Sequence, residues 1–553
     1  MKIDKKLLAV LLLGMMVSGN TAVAQSKSYS WQNLPQSKLP DFPRDTFNIV
    51  NYGAKPDGIT LNTKSINQAI QACSKKGGGV VLIPQGVWLT GPIVLQNNVN
   101  LHVSNAALVQ FTGDKSQYEL VEGNFEGQKA IRNQSPISGI DLTNIAITGN
   151  GIFDGRGEVW RHVKKDKLTE GEWKSLVASG GLIGADAKTW YPSIGYLNGE
   201  KAVADGTLPH SGLAKDMMPY KDFFRPNMLV LTNCKKVLIK DATFQNSPAW
   251  GIHPVFCENL TIDGVKVRSL PSAQNGDGID IESSSFVTIQ NNILDCGDDG
   301  ICIKSGKDEE GRRRAKPAQY IVIRNNTVYR AHGGFVIGSE MSGGVHDIFV
   351  TDCNFIGTDI GLRFKTARGR GGIVENIHIR NIGMQNVVND AILFDMYYFA
   401  KIPSLNETAG KAVAPPVDEG TPQFRNFFIK NIVCDGAERA ILIRGLPEMS
   451  VKNIFLEDIT IKSRKGADII KAENITLQNV VLQCDSSSPL IYIENSQNLS
   501  FRGLNAIKAP EVFFSVNGNQ SKDISVEKTA ISSASTQAVF KFGAEKSMLE
   551  IRH

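Results

Sequence analysis

From about residue 79 onward, apolar and polar positions alternate in short runs instead of recurring at helical spacing. Many of these runs open on asparagine: Asn144-Ile-Ala-Ile, Asn259-Leu-Thr-Ile, Asn376-Ile-His-Ile, Asn426-Phe-Phe-Ile, Asn453-Ile-Phe-Leu, Asn474-Ile-Thr-Leu and Asn498-Leu-Ser-Phe. Val287-Thr-Ile, Ile321-Val-Ile and Ile348-Phe-Val fill the gap between the second and third. Most spacings fall in the twenties, too short for propeller blades, which need about 40–45 residues each. A repeat of this size predicts stacked coils, each burying its apolar face against its neighbours. Asparagines at equivalent turns would then form hydrogen-bonded ladders. The expected fold is all-β, a right-handed parallel β-helix.

A second strand type fixes the register. Asp277-Gly-Ile-Asp-Ile aligns with Asp299-Gly-Ile-Cys-Ile and Gly333-Gly-Phe-Val-Ile, then with Ile360-Gly-Leu-Arg-Phe and Asp390-Ala-Ile-Leu-Phe. Trp250-Gly-Ile-His-Pro precedes them. Residues sharing a column should lie on successive coils about 4.8 Å apart. Ile279, Ile301, Phe335, Leu362 and Ile392 share one column and are predicted to point into the core.

The pattern changes at both ends of this reading. Ile66, Ala69, Ile70 and Cys73 recur at helical spacing after Asn62-Thr63, and Gly77-Gly78-Gly79 follows. This predicts an N-terminal helix, capped by Asn62-Thr63, that plugs the open end of the coil stack. Lys2, Lys5 and Lys6, an apolar run from Leu7 to about Val17, and Ala22-Val23-Ala24 form the layout of a secretory signal peptide over residues 1–24. The run is shorter than the roughly 18–20 residues of a membrane span. Export to the periplasm or beyond is expected. Residues 25–45 read as an N-terminal extension and 46–553 as the coiled catalytic domain. Segments near 158–222 and 400–422 break the repeat and read as projecting loops.

Composition adds three exclusions. A formal charge of +5 over 553 residues gives no case for nucleic acid and is compatible with a polyanionic substrate. The eight cysteines show no CxxC pairing, so buried free thiols are expected over a zinc site or a disulfide framework. The eight histidines form no metal-ligand pair, so no catalytic metal and no cofactor are expected, and the chain is read as a monomer.

The register gathers charge in one place. Asp277 stacks on Asp299, Asp298 occupies the adjacent column, and His332 lies over Asp298 one coil later. Arg363 and Lys365 follow, two residues apart and so on one face. Crowded carboxylates cannot all ionise, so at least one pKa should be raised. Such a set suits glycoside cleavage, with one carboxyl donating to the leaving oxygen and another activating water. Two adjacent aspartates on a straight strand would face opposite ways, so Gly297 and Gly300 should mark a bend. Taken singly, each group has a plainer reading: a turn for Asp277, a calcium pair for Asp298-Asp299, a structural role for His332.

In combination, Asn275-Gly276-Asp277, Gly297-Asp298-Asp299-Gly300, Ala331-His332-Gly333 and Arg363-Phe364-Lys365 resemble the ordered signature of glycoside hydrolase family 28, the polygalacturonases. The resemblance runs from about residue 46 to the C-terminal region. It implies metal-free, inverting hydrolysis of galacturonate-rich pectic polysaccharide or oligogalacturonide. By motif, Asp298 resembles the general acid, and Asp277 with Asp299 the pair that activates water. Arg363 and Lys365 resemble the binders of the sugar carboxylate, and His332 a supporting group. The departures from the signature are Gly276 for threonine, Ala331 for glycine and Phe364 for isoleucine. The stretches Gly338–Gly344 and Arg368–Gly372 are similar to bacterial exo-acting members. Arg368, Arg370, Asn275 and His253 are further candidates for substrate contact. Competing expectations are rhamnogalacturonan or xylogalacturonan hydrolysis, a calcium-dependent pectate lyase, and a non-enzymatic glycan-binding solenoid.

Overall fold

The computed structural model describes residues 29–208, 214–402, 414–486 and 488–552. The expected signal peptide, and residues 403–413 of the second projecting segment, lie outside the described residues. Residues 29–34 form a small unit in which Ser30 and Asn33 pair through their backbones. From residue 35 the chain is one right-handed parallel β-helix.

Among the described residues the coils contribute to two long parallel sheets, of 24 and 14 strands. On the smaller sheet the expected register holds at every step. Ile252 pairs with Ile279, Ile279 with Ile301, Ile301 with Phe335, Phe335 with Leu362 and Leu362 with Ile392. Each of these residues is buried. The same column continues to Ile441 and Ala467. Phe364 packs edge-on against Phe335 and Phe427 and tilts against Phe394, and so lies inside the stack.

The repeated asparagines do two jobs. Asn144, Asn259, Asn376, Asn426, Asn453, Asn474 and Asn498 have φ of 56–63°, a left-handed conformation that asparagine tolerates better than most residues. They also ladder: Asn453 donates to Asn426 at 2.9 Å, and Asn474 to Asn453 at 3.0 Å. A second left-handed column runs through Asn325, Asn381, Asn431 and Asn479. Asn431 donates to Asn381 at 2.8 Å. Coils that carry both asparagines thus turn twice at residues suited to the left-handed backbone.

The capping helix spans Thr63–Lys75 and buries Ile66, Ala69, Ile70 and Cys73, as the spacing predicts. Asn62 does not cap it through its side chain. Its amide instead binds the backbone of Lys55, Thr60 and Leu89 and closes the preceding loop. Residues 35–45 form a strap across successive coils. The Lys38 N–H donates to Asn259, the Asp41 N–H to Asn144, and the Val80 N–H to the Asp45 carbonyl.

The segment 158–222 is more than a loop. It carries the helices Glu170–Ala178, Ile194–Ala204 and Ala214–Met217, and an antiparallel sheet of Val163–Lys164, Leu182–Ile183 and Thr189–Tyr191. Thr169 and Glu172 close a capping box at the first helix, a local signal in the sequence. Two further departures from the coil pattern are an antiparallel hairpin, Leu120–Phe125 with Gln128–Asn133, and a short helix, Asp308–Arg314. All eight cysteines are buried and unpaired, as expected. No helix among the described residues is long and apolar enough to cross a membrane.

Candidate active site

The turns that lead into two consecutive strands of the 14-stranded sheet carry the acidic groups. Asp277 precedes Ile279–Glu282, and Asp298-Asp299 precede Ile301–Lys304. The Gly278 N–H donates to the Asp299 carbonyl at 2.9 Å, and the His332 N–H to the Asp298 carbonyl at 2.9 Å. These ladder bonds hold the expected columns together. No strand passes through residues 296–300, so the backbone bends where Gly297 and Gly300 predict. A Cβ on Gly297 would lie 2.5 Å from the Leu270 carbonyl oxygen, which restricts the position to glycine. Gly276 is explained in the same way, since a Cβ there would meet the Ala273 oxygen at 2.8 Å. Ala331 is fully buried, like Phe364. The three departures from the family signature therefore follow from turn and core packing.

Asp277, Asp298 and Asp299 each offer a carboxylate oxygen within 4.8 Å of the others. Their surroundings differ. Asp299 is only 2% exposed, with Arg363 Nη1 donating to Oδ1 at 2.9 Å and Lys365 Nζ to Oδ2 at 2.7 Å. Burial opposes its ionisation, but Lys365 and Arg363 outweigh it and hold the carboxyl below the usual carboxylate range. A divalent ion at this cluster would have to displace both cations. Asp277 is buried with one oxygen lacking any hydrogen-bond partner. Burial, with repulsion from Asp280 and Asp298, pushes it well above the usual range. Asp298 is the accessible member, 22% exposed, with His332 Nδ1 3.1 Å from Oδ1. That bond raises His332 above its ordinary pKa. His332 is about half exposed and reaches Asp359 at 3.8 Å on its far side.

The remaining candidates divide. Asn275 sits beside the trio and accepts from Arg225 Nη2 at 2.7 Å. His253 is fully buried in the floor, 3.1 Å from Glu282 Oε2 and 3.0 Å from Asn227, with Trp250 edge-on to its ring. Arg368 is paired through two nitrogens with Glu448, and Arg370 pairs with Asp308 and lies 4.0 Å from Glu340. Both are therefore tied into the wall by carboxylates distant in sequence.

Sequence reasoning missed a second charged layer beneath the trio. Lys304 Nζ donates to Glu340 Oε2 at 3.0 Å, lies 3.6 Å from Asp280 Oδ1, and sits 4.6 Å from the centre of the Trp250 ring. Burial pushes Asp280 up to about 8 against the pull of Lys304. Burial acts on Glu340 too, but Lys304 and Lys365 outweigh it and bring that carboxyl down to about 2. The signal for Asp280 was present in the register. It shares a column with Cys302, Val336 and Arg363, whose side chains alternate away from the core.

The raised pKa of Asp280 makes stability depend on pH. Such a group costs nothing while protonated in both states, below its ordinary value of 3.8, and withdraws stability as pH climbs towards about 8. Glu340, depressed to about 2, gives stability above its ordinary 4.5 that is lost only in more acid solution. Between about pH 5 and about pH 8 the Tm is therefore expected to fall, and Asp280→Asn should flatten part of that slope. Calorimetric scans of both proteins check this. A slope unchanged in the variant would mean that Asp280 ionises freely in the fold.

Residues 210–415 match the family described as Glycosyl hydrolases family 28, and residues 46–167 match Rhamnogalacturonase A/epimerase, pectate lyase-like. A hyperthermoactive exopolygalacturonase from Thermotoga maritima superposes with a TM-score of 0.64 at 31% identity, over 81% of this chain and 94% of that one. A probable polygalacturonase of Vitis vinifera is 27% identical over 75% of this chain and 73% of its own length. An exo-poly-alpha-D-galacturonosidase of Dickeya chrysanthemi is 27% identical over 72% of this chain and 64% of its own.

Proposed function

This chain belongs to glycoside hydrolase family 28, and from that premise we propose that it is an exported exo-acting hydrolase of α-1,4-galacturonosidic bonds in pectin or polygalacturonate. One observation carries the reading of the chemistry: three adjacent carboxylates stand in three different environments. Asp298, open to the cleft and bonded to His332, is the acid that protonates the leaving oxygen. Asp277, with its raised proton affinity, holds a proton at rest; passing that proton to Asp298 arms the acid and leaves Asp277 ionised to take the proton of the attacking water, which Asp299 helps to orient. His332 restores the proton of Asp298 after turnover. In the free enzyme Arg363 and Lys365 neutralise Asp299; their unused donors face the incoming sugar carboxylate.

The spacing within the trio, under 4.8 Å, is shorter than the roughly 6.5–9.5 Å of many inverting pairs. Inversion is nonetheless favoured, because Asp299 is held between two cations and is a poor nucleophile. End-wise action is supported by the wall on the N-terminal side of the trio. There Asn124 of the hairpin donates to Glu282 at 2.9 Å, Lys307 reaches Glu126 at 3.2 Å, and Asn133 donates to the Lys221 carbonyl of the insertion at 2.7 Å.

Proton NMR of polygalacturonate digestion with chelator present tests the reading. The expected first product is a monomer or dimer in the β configuration. A ladder of oligomers would overturn end-wise action, an α product would overturn inversion, and near-ultraviolet absorbance would indicate lyase chemistry. A second reading, a methyl-bearing sugar such as rhamnose next to the scissile bond, is favoured by the small apolar cluster of Ile360, Leu393 and Leu442 beside Arg363. Release from rhamnogalacturonan with none from polygalacturonate would select it.

A further inference from the structure

Arg132, Arg161 and Arg225 gather behind the wall, and none has a carboxylate within ion-pair reach among the described residues. Arg225 donates to the carbonyls of Pro248 at 3.2 Å and Gln274 at 2.8 Å, and to the amide oxygen of Asn275 at 2.7 Å. Arg132 donates to the Arg225 carbonyl and stacks 3.7 Å from the Phe125 ring centre. Arg161 donates to the Ser247 carbonyl. These carbonyls satisfy N–H groups but bring no negative charge. The strain registers in the side chains: burial and the neighbouring Arg225 push Arg132 down to about 9 and Arg161 to about 10. The acids nearest the opening are already engaged, Glu126 by Lys307 and Glu310 by Arg314.

Two of these arginines face a cavity of about 610 Å³. Its wall also holds Phe125, Phe223, Phe224 and Asn275, together with Glu126 and Glu310, the two acids already engaged by Lys307 and Arg314. Asn275 stands two residues before Asp277, which ties the cavity wall to the segment that carries one member of the trio. Aromatic rings, an amide and uncompensated guanidinium groups are the lining that a uronic acid needs: a ring to pack on and a charge to meet.

We propose that this cavity is a uronate subsite, in which the chain-end uronosyl residue of the substrate places its carboxylate against Arg132, with Arg225 behind it. The assignment rests on the end-wise reading above and deepens it, since the terminal sugar would be selected for its charge. Arg132 is the residue to change, because Arg225 also holds Asn275.

The test compares D-galacturonate with D-galactose, which differ at the carboxylate, by calorimetric titration of the full-length protein. Wild type should prefer galacturonate, Arg132→Gln should reduce that preference roughly 10- to 100-fold, and Arg132→Lys should keep part of it. In parallel, kcat/KM is measured on trigalacturonate and on a trimer whose chain-end carboxyl is reduced to the alcohol. Arg132→Gln should penalise the first trimer and leave the second nearly unchanged. Equal losses on both trimers, or a preference for galacturonate that survives Arg132→Gln, would overturn the subsite. If Arg132→Gln does not fold, Arg132→Lys and wild type decide, and absence of any galacturonate preference in wild type overturns the proposal. Arg132-dependent preference without hydrolysis of polygalacturonate would uphold the subsite and sink the hydrolase reading.

Discussion

Asp298→Asn is expected to lower kcat on polygalacturonate by about 10²- to 10⁴-fold, the span that a positioned general acid contributes. The change is isosteric and removes only the transferable proton. Asp298 is partly exposed, and an amide in its place can still bond His332, so Tm should stay close to that of wild type. KM should move little, because Asp298 meets developing charge and not the ground-state sugar. A galacturonide with an aryl leaving group sharpens the test. Its leaving oxygen needs no protonation, so the variant should recover most of its rate there. Activity within threefold of wild type on the polymer would place the acid elsewhere in the trio. Loss on both substrates would point to Asp298 as a group that positions water.

Lys304→Met is expected to destabilise the fold by about 3–5 kcal/mol near neutral pH, the cost of breaking a buried ion pair by removing one partner. Lys304 is a cation embedded between Glu340 and Asp280 and covered by Trp250. Burial opposes its charge, and the surrounding acids, Glu340 and Asp280 among them, outweigh that penalty and hold its pKa well above the ordinary value. Its contribution is therefore present across the neutral range and is lost only in strongly alkaline solution. Methionine fills much of the volume, so the loss is mainly electrostatic. It leaves the ionised Glu340 without its counter-charge, beside Asp280, neither of whose oxygens makes a hydrogen bond. Protonation of these acids relieves the defect. The gap in Tm between variant and wild type should therefore narrow as pH falls from about 8 to about 4. Calorimetry across that range decides it. A gap that stays constant would mean that packing, not charge, accounts for the effect.

Much of the architecture is legible because a coil has few places to hide a register. The column through Ile279, Ile301, Phe335, Leu362 and Ile392 follows from alternation alone, and it carries Asp277, Asp298, Asp299, His332, Arg363 and Lys365 with it. The asparagines mark turns, although their left-handed backbone is a conformational reason that apolar patterning does not reveal. Asp280 and Lys304 were also within reach, since each lies on an outward column already aligned.

The walls are another matter. The hairpin at Leu120–Asn133 has mixed polarity because it lies outside the coil core, with Phe125 stacked on Trp250 and Asn133 bonded to the Lys221 and Phe224 carbonyls. The short helix Asp308–Arg314 breaks the coil pattern, and Arg314 at its end lies beside Glu282 and Glu310. Arg368 and Arg370 read in sequence as candidates for substrate contact, and their partners Glu448 and Asp308 lie far along the chain. The sequence by itself determined the coil, its register and the convergence of the acidic groups, because those depend on periodicity and nearest-neighbour stacking. Only the tertiary structure decided which charges are neutralised and which are left for a ligand, because the insertions that bury and pair them follow no repeat.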